Sequence, residues 1–266
     1  MDKTISIFSN INTKSILIKD VLVSKLLNKG YSVIYNPSED ALLNICIGGD
    51  GSFLRAVHDS KFSQVPFVGI NTGHLGFYQE ILISEIDTFI DDFINDNYSI
   101  SKLALLQGIG KPKTNEYDLY ALNEFVIKSK NSSIVHLDVY IDDYHLERFA
   151  GDGLIISTPS GSTAYNFSVG GSVLYHELKG YQLAPIAPIN SRAYRSLMNS
   201  IVMPDTSILK IVPDVDDLKN LQLITDGNVT DTGIAEEFEF KIAKRYINKL
   251  VFNPRWYWIN IKDKFL

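Results

Sequence analysis

The sequence predicts an α/β N-terminal domain with a parallel sheet, then a mainly antiparallel β domain, with the C-terminal tail packing back on the first. Three observations carry this. The first hundred residues alternate strand-like runs with helically spaced apolar positions. Beyond them, long β-rich runs dominate and helical spacing is scarce. The last stretch, "NPRWYWINIKDKFL", is aromatic and amphipathic. The expected division is 1–97 with 253–266 returning to it, and 98–252.

In order, "TISIFSN" is a short β-rich run. Residues 14–30, "KSILIKDVLVSKLLNKG", read as a helix stopped by Gly30. "YSVIY" is a strand and "LLNICIGG" a buried one. After "GGDGS", "FLRAVHDS" reads as a helix and "VPFVGIN" as a strand. "SEIDTFIDDFINDN" opens with a Ser-x-x-Asp capping pattern at Ser84 and Asp87 and reads as a helix. Strands alternating with helices imply a parallel sheet covered on both faces. Ligands of such folds sit beyond the carboxyl ends of the strands. "GGDG" follows such an end directly.

In the second domain, "YDLYALNEFVIKSK" and "SIVHLDVYIDDYHLERFAGDGLIIST" are long β-rich runs, with Asp142 and Asp143 as a hairpin turn. "SILKIVP", "LQLITDG" and "EFEFKIAKRYINKLVF" supply further β segments.

Composition narrows the function classes. The 266 residues are 45% hydrophobic and 21% charged, which is ordinary for a globular chain. A net charge of −6 with no basic run disfavours nucleic acid and anionic membranes as partners. The single cysteine, Cys46, rules out an intrachain disulfide framework and reads as a small buried hydrophobe. No apolar run is long enough to span a membrane. The start, "MDKTISIFSN", lacks a signal-peptide pattern, and a cytoplasmic protein is expected.

The Walker A loop, the G-x-G-x-x-G fingerprint after the first strand, H-E-x-x-H, C-x-x-C and G-x-S-x-G are all absent. Any phosphate chemistry must use other glycine loops. In "ICIGGDGSF", Gly48, Gly49 and Gly51 suit a backbone that a phosphate can approach, yet Asp50 would repel it. The stretch is either an ordinary strand-to-helix turn, or Asp50 handles a metal or a proton beside a phosphate. A second Gly-Asp-Gly stands at 151–153. "GINTGHLGFY" is a tight turn with Phe77 and Tyr78 in the core, or a third ligand loop; its His74 reads as structural. "LNEF" sets Asn123 beside Glu124, where strand alternation would turn one of them to the core. A β-end facing a ligand is cheaper than a buried unpaired carboxylate. "STPSGSTAYN" is a simple Ser/Gly/Pro loop, or a hydroxyl-rich surface for ribose or phosphate.

"IGGDGSFLRA", "GINTGHLGFY", "LNE" and "GDGLIISTPSGSTAYN", in that order and spacing, resemble NAD kinase, the family that phosphorylates NAD to NADP. The likeness runs from about residue 45 to 205, more loosely in both tails. A GGDG loop alone is shared with lipid kinases and phosphofructokinases; the later blocks make the match specific.

The resemblance implies that Asp50 is the proton acceptor for the 2′-hydroxyl of the adenosine ribose as it attacks the γ-phosphate of ATP. Gly48, Gly49 and Gly51 would admit the ATP phosphates, and Mg²⁺ carried by ATP would offset the repulsion. No metal site of the protein's own is implied. Asp152 is similar to the residue that binds the nicotinamide end, and Asn123 with Glu124 to a pair that contacts NAD. Thr163, Ala164, Tyr165 and Ser168 match the adenosine pocket, with Tyr165 available to stack. Gly51, Phe77, Tyr78, Ala150, Ser160, Asn166 and Phe167 belong to the same NAD-binding blocks. Ala187, Ile189 and Tyr194 match a segment that reaches a neighbouring subunit's site, so a homo-oligomer, commonly a tetramer, is implied. Two positions depart from the pattern. Ala150 stands where relatives often carry a basic residue, and Phe167 where several carry Lys. A lipid kinase of the GGDG superfamily and a non-catalytic nucleotide-binding module are the alternatives. The first lacks a basic amphipathic helix for membranes, and the retained Asp50 argues against the second.

Overall fold

The computed structural model describes residues 3–73, 76–112, 116–192, 195–230 and 235–266. The chain separates into two compact units, Met1–Lys102 with Tyr246–Leu266, and Leu103–Arg245.

The first unit begins β1 (Thr4–Ser9), α1 (Thr13–Asn28), β2 (Ser32–Ile34), β3 (Leu43–Gly48), α2 (Asp50–Asp59), β4 (Phe67–Asn71) and α3 (Ile86–Ile94). Its sheet runs β2-β1-β3-β4, all parallel. Every residue of β3 and β4 is buried, as expected of strands covered on both faces. Asn12 caps α1 by accepting the Ser15 N–H, and the chain leaves that helix through Gly30 at φ +81°. Cys46 is fully buried, and burial raises its thiol pKa.

The expected cap at Ser84 does not form. A 3-10 turn, Ile83–Glu85, precedes α3, and the Glu85 carboxylate reaches back to the Leu82 N–H at 3.1 Å. Asp87, on the exposed face, pairs with Lys25 instead. Helix α2 also starts earlier than its apolar pattern, because Ser52 and Phe53 both donate to the Gly49 carbonyl.

β5 (Ser99–Lys111) leads into the second unit, which adds β6 (Tyr117–Ala121), β7 (Glu124–Ser129), β8 (Val135–Ile141), β9 (Tyr144–Gly151), β10 (Gly153–Ser157) and α4 (Tyr165–Ser168). It continues with β11 (Gly180–Ile186), β12 (Ile201–Pro204), β13 (Leu209–Pro213), β14 (Leu221–Thr225) and β15 (Asn228–Val229). One sheet runs β12-β11-β10-β7-β14-β15, antiparallel throughout. The other joins β13, β8 and β9 to β16 (Glu237–Val251), with β5 and β6 beside it. Phe125, Ile127 and Leu154 from the first sheet meet Leu137, Phe149 and Phe240 from the second in one core. Asp142 and Asp143 turn β8 into β9 with φ of +50° and +64°, the two positive values of a type I′ hairpin.

Two of the long β-rich runs are not single strands. "YDLYALNEFVIKSK" breaks at Leu122–Asn123, and its halves join different sheets. "YHLERFAGDGLIIS" breaks at Asp152 in the same way. A strand that changes sheets must leave its ladder, and the backbone groups released at the corner need other partners.

In the first unit, β16 ends beside β4, with Lys249 level with Phe67. The aromatic tail forms α5 (Trp256–Phe265), and Trp256 Nε1 donates to the Gly76 carbonyl at 3.1 Å. The fold is thus α/β with a parallel sheet, followed by antiparallel β, with the tail back on the first unit. Among the described residues no helix is long and apolar enough to cross a membrane.

Candidate active site

In the first unit the chemistry gathers at the carboxyl end of β3. Gly48 stands at φ +151°, and a Cβ there would lie 2.2 Å from Ser52 Oγ, so the strand can enter the helix this tightly only without a side chain. Asp50 occupies the first turn of α2. There its charge faces the positive end of the helix. Its Oδ2 accepts the Phe77 N–H at 3.1 Å, and its Oδ1 the Tyr78 N–H at 3.0 Å. Gly76 packs against this carboxylate: a Cβ at that position would lie 2.5 Å from Oδ1. Gly76, Phe77 and Tyr78 therefore form a cradle for Asp50. Tyr78 is buried and stacks on Phe53 at 4.7 Å, while Phe77 is half-buried against Phe265 and Tyr257.

Lys264 is a member of this site that sequence reasoning missed. Its ammonium lies 3.4 Å from Asp50 Oδ2 and 4.7 Å from the centre of the Phe77 ring. No local signal marks it; only the docking of α5 brings it there. A carboxylate has about four acceptor positions, and the three donors seen leave room for a hydroxyl. Between the end of β1 and the first turns of α2 opens a cleft of about 360 Å³ whose wall includes Asn10, Lys19, Tyr35, Ser52 and Arg55. Among the described residues no three His, Cys, Asp or Glu side chains cluster as a metal site. A magnesium ion that arrives on a nucleotide is held largely by phosphates and waters, so it does not require such a cluster.

In the second unit the site residues sit at the two corners where strands change sheets. Asn123 lies in the bend before β7, so strand alternation does not govern it, and Glu124 is the first residue of β7. Both are buried. Burial, and then the Asp226 carboxylate, push the Glu124 carboxyl up to about 8, against the opposing N–H of Tyr165. The "STPSGSTAYN" loop folds onto this corner. Thr158 Oγ1 donates to Leu122 O at 2.6 Å, and Gly161 donates to that hydroxyl at 3.0 Å. Ser160 and Thr163 bound a 3-10 turn, and Ala164 leads into α4.

Tyr165 is 38% exposed and free to present its ring, and Phe167 and Ser168 are exposed beside it. Asn166 is fully buried; its amide donates to the carbonyls of Ser162 and Ser172, so it braces the loop from within. Ala150 is fully buried too, bonded through its backbone to Ser196 and Ile189. Neither side chain reaches the surface. Asp152 is exposed at the β9–β10 corner. In the β7–β10 pair Glu124 is level with Ser157, and Lys128 with Gly153. Four strand steps of about 3.4 Å therefore put the two corners about 14 Å apart. Ala187 is exposed at φ +44°, and Ile189 is half-buried. His74 and Tyr194 lie outside the described residues.

Comparison with known proteins agrees across the whole chain. The family model of the ATP-NAD kinase N-terminal domain matches residues 14–98, and that of the C-terminal domain residues 122–249. The chain is 56% identical to the NAD kinase of Finegoldia magna over 268 residues, 99% of this chain and 98% of that one. It is 35% identical to the NAD kinase of Staphylococcus epidermidis over 253 residues, 93% of each. Among solved structures it is similar in fold to yeast NADH kinase complexed with NADH. That match has a TM-score of 0.85 at 20% identity and covers 99% of this chain and 87% of that one. An NAD kinase from Archaeoglobus fulgidus in complex with ATP matches at TM-score 0.77 and 20% identity, over 98% of both chains. With both domain models matched and relatives aligned end to end, the chain belongs to the NAD kinase family.

Proposed function

We infer that this chain is an enzyme that phosphorylates the 2′-hydroxyl of the adenosine ribose of NAD with ATP, making NADP. The observation that carries the reading is the Asp50 carboxylate, held by two backbone N–H groups at the start of α2 in a chain of this family. The ribose oxygen attacks the γ-phosphorus, the bond to the bridging oxygen breaks, ADP leaves, and Asp50 takes the hydroxyl proton. Phosphoryl transfer is loose, so the proton departs late and positioning matters more than base strength. Gly48, Gly49 and Gly51 at the helix N-terminus suit the ATP phosphates, and the nearby cleft, with Lys19 and Arg55 in its wall, supports that placement. Mg²⁺ bound to ATP would neutralise phosphate charge as the bond breaks.

Asn123, Glu124, Tyr165 and their neighbours hold the adenosine part of NAD, and Asp152 the nicotinamide end. The separation of the two corners along β7 and β10 supports this, because an extended dinucleotide reaches both. Purified protein with ATP, Mg²⁺ and NAD should yield NADP, detected with an NADP-specific dehydrogenase. Phosphorylation of diacylglycerol in place of NAD would favour the lipid kinase reading, and no transfer at all a binding module.

Asp152→Ala should raise KM for NAD and leave KM for ATP and kcat nearly unchanged, since a contact equal in ground and transition states affects binding alone. Initial rates against each substrate check this, and a collapse of ATP affinity would reverse the assignment of the two Gly-Asp-Gly loops. The segment with Ala187, Ile189 and Tyr194 completes a neighbour's site in a homotetramer. Specific activity should then fall on dilution as subunits part. Light scattering and a dilution series decide it, and a fully active monomer would sink the shared site. A cytoplasmic location belongs to the same reading, because the reaction needs ATP and NAD together.

A further inference from the structure

Asp226 takes no part in the function described so far. It stands at φ +47° between β14 and β15 and is 7% exposed. Its carboxylate accepts three backbone N–H groups at the β6–β7 corner: Leu122 at 2.8 Å, Asn123 at 2.7 Å and Glu124 at 3.1 Å. Its own N–H donates to the Glu124 carbonyl at 3.0 Å. The corner left the ladder to change sheets, and this one side chain, some hundred residues away, supplies the missing acceptors. Three N–H donors satisfy a carboxylate's charge well.

Glu124 beside it is not so served. It is 5% exposed, and its Oε2 is buried without a hydrogen-bond partner. An ionised carboxylate with a bare buried oxygen is costly, and two carboxylates in one desolvated site do not both ionise. An acid in its protonated form carries a donor that nothing in the described chain accepts.

We propose that Asp226 is the positioning residue of this corner: it locks the Leu122–Glu124 turn and presents Glu124 Oε2 as a hydroxyl that donates to an oxygen of NAD. The raised Glu124 carboxyl, with burial as the first cause and Asp226 as the second, agrees with this. Among the described residues Asp226 is the charged side chain that acts on Glu124. β10 sets Ser157 level with it, and α4 offers only the Tyr165 N–H. The ligand in this proposal rests on the NAD kinase reading above.

The test is calorimetric titration of NAD into the full chain without ATP, from pH 6.5 to 9.5, so that turnover is not needed. Kd should be flat at the acid end and weaken toward about tenfold per pH unit above about 8, the slope of one required proton. Glu124→Gln should remove that break. Asp226→Asn should weaken Kd at pH 7 by at least about tenfold, because charge-assisted bonds are lost, and move the break to lower pH because the neighbouring charge is gone. A flat wild-type profile through pH 9.5 would overturn the proposal. So would an Asp226→Asn protein that melts earlier but keeps Kd and break unchanged. If that variant does not fold, the comparison of wild type with Glu124→Gln decides alone. Absence of NAD binding at every pH would sink the NAD kinase reading and this proposal with it; binding without a break sinks this proposal only.

Discussion

Replacing Asp50 with Asn is expected to lower kcat by at least about 100-fold, a typical general-base contribution, while NAD still binds. On sequence grounds the Asn variant keeps the shape and hydrogen-bonding surface of the site. The structure corrects that. Both carboxylate oxygens accept backbone N–H groups, from Phe77 and Tyr78. An Asn amide offers one acceptor and one NH₂, so one of those N–H groups would face a donor. Leaving a buried donor unmade costs about 1–3 kcal/mol, and the thermal midpoint should fall as well. Turnover, NAD affinity and melting must therefore be measured on one preparation. Near-wild-type turnover would remove Asp50 from the role of base. A drop in melting with no drop in turnover would make it a brace of residues 76–78 only.

The largest stability effect is expected at Lys249, on β16 in the first unit. Its ammonium lies 2.6 Å from Glu80 Oε2, and the two side chains are 7% and 1% exposed. Glu80 Oε1 also accepts the N–H groups of Phe252 and Asn253, the latter at 3.2 Å. One carboxylate thus ties the chain after β4 to the end of β16, just ahead of α5. Lys249→Ala leaves that carboxylate buried and short of its counter-charge. Removing one partner of a buried pair costs about 3–5 kcal/mol, a large share of the roughly 5–15 kcal/mol that stabilises a typical domain. Urea unfolding should show it. Glu80→Gln combined with Lys249→Met should recover part of the loss, since no lone charge then remains. A single-variant loss below about 1 kcal/mol would mean that the two backbone N–H groups suffice to hold Glu80. Since α5 begins a few residues on, and Trp256 and Lys264 come from it, activity should fall along with stability.

Local order along the chain was enough to establish several things. Period and punctuation gave away the parallel α/β half, the Gly30 stop, the Asp142–Asp143 hairpin and the antiparallel half. The glycine loops and the order of four motif blocks were enough to recognise the family. These features are legible because each strand, stop, turn and motif block is a short stretch of neighbouring residues, and the order of the blocks is read directly along the chain. What the tertiary structure alone decided involves partners far apart in sequence. The long β-rich runs look continuous because a strand that changes sheets keeps its composition through the corner. Asp226 reaches the Glu124 N–H across 102 residues, and Lys264 reaches Asp50 across 214. No periodicity encodes such a pairing. The buried and unpartnered state of Glu124 Oε2 is likewise a property of the packed corner, since burial and a neighbouring charge, not residue type, determine whether a carboxyl keeps its proton.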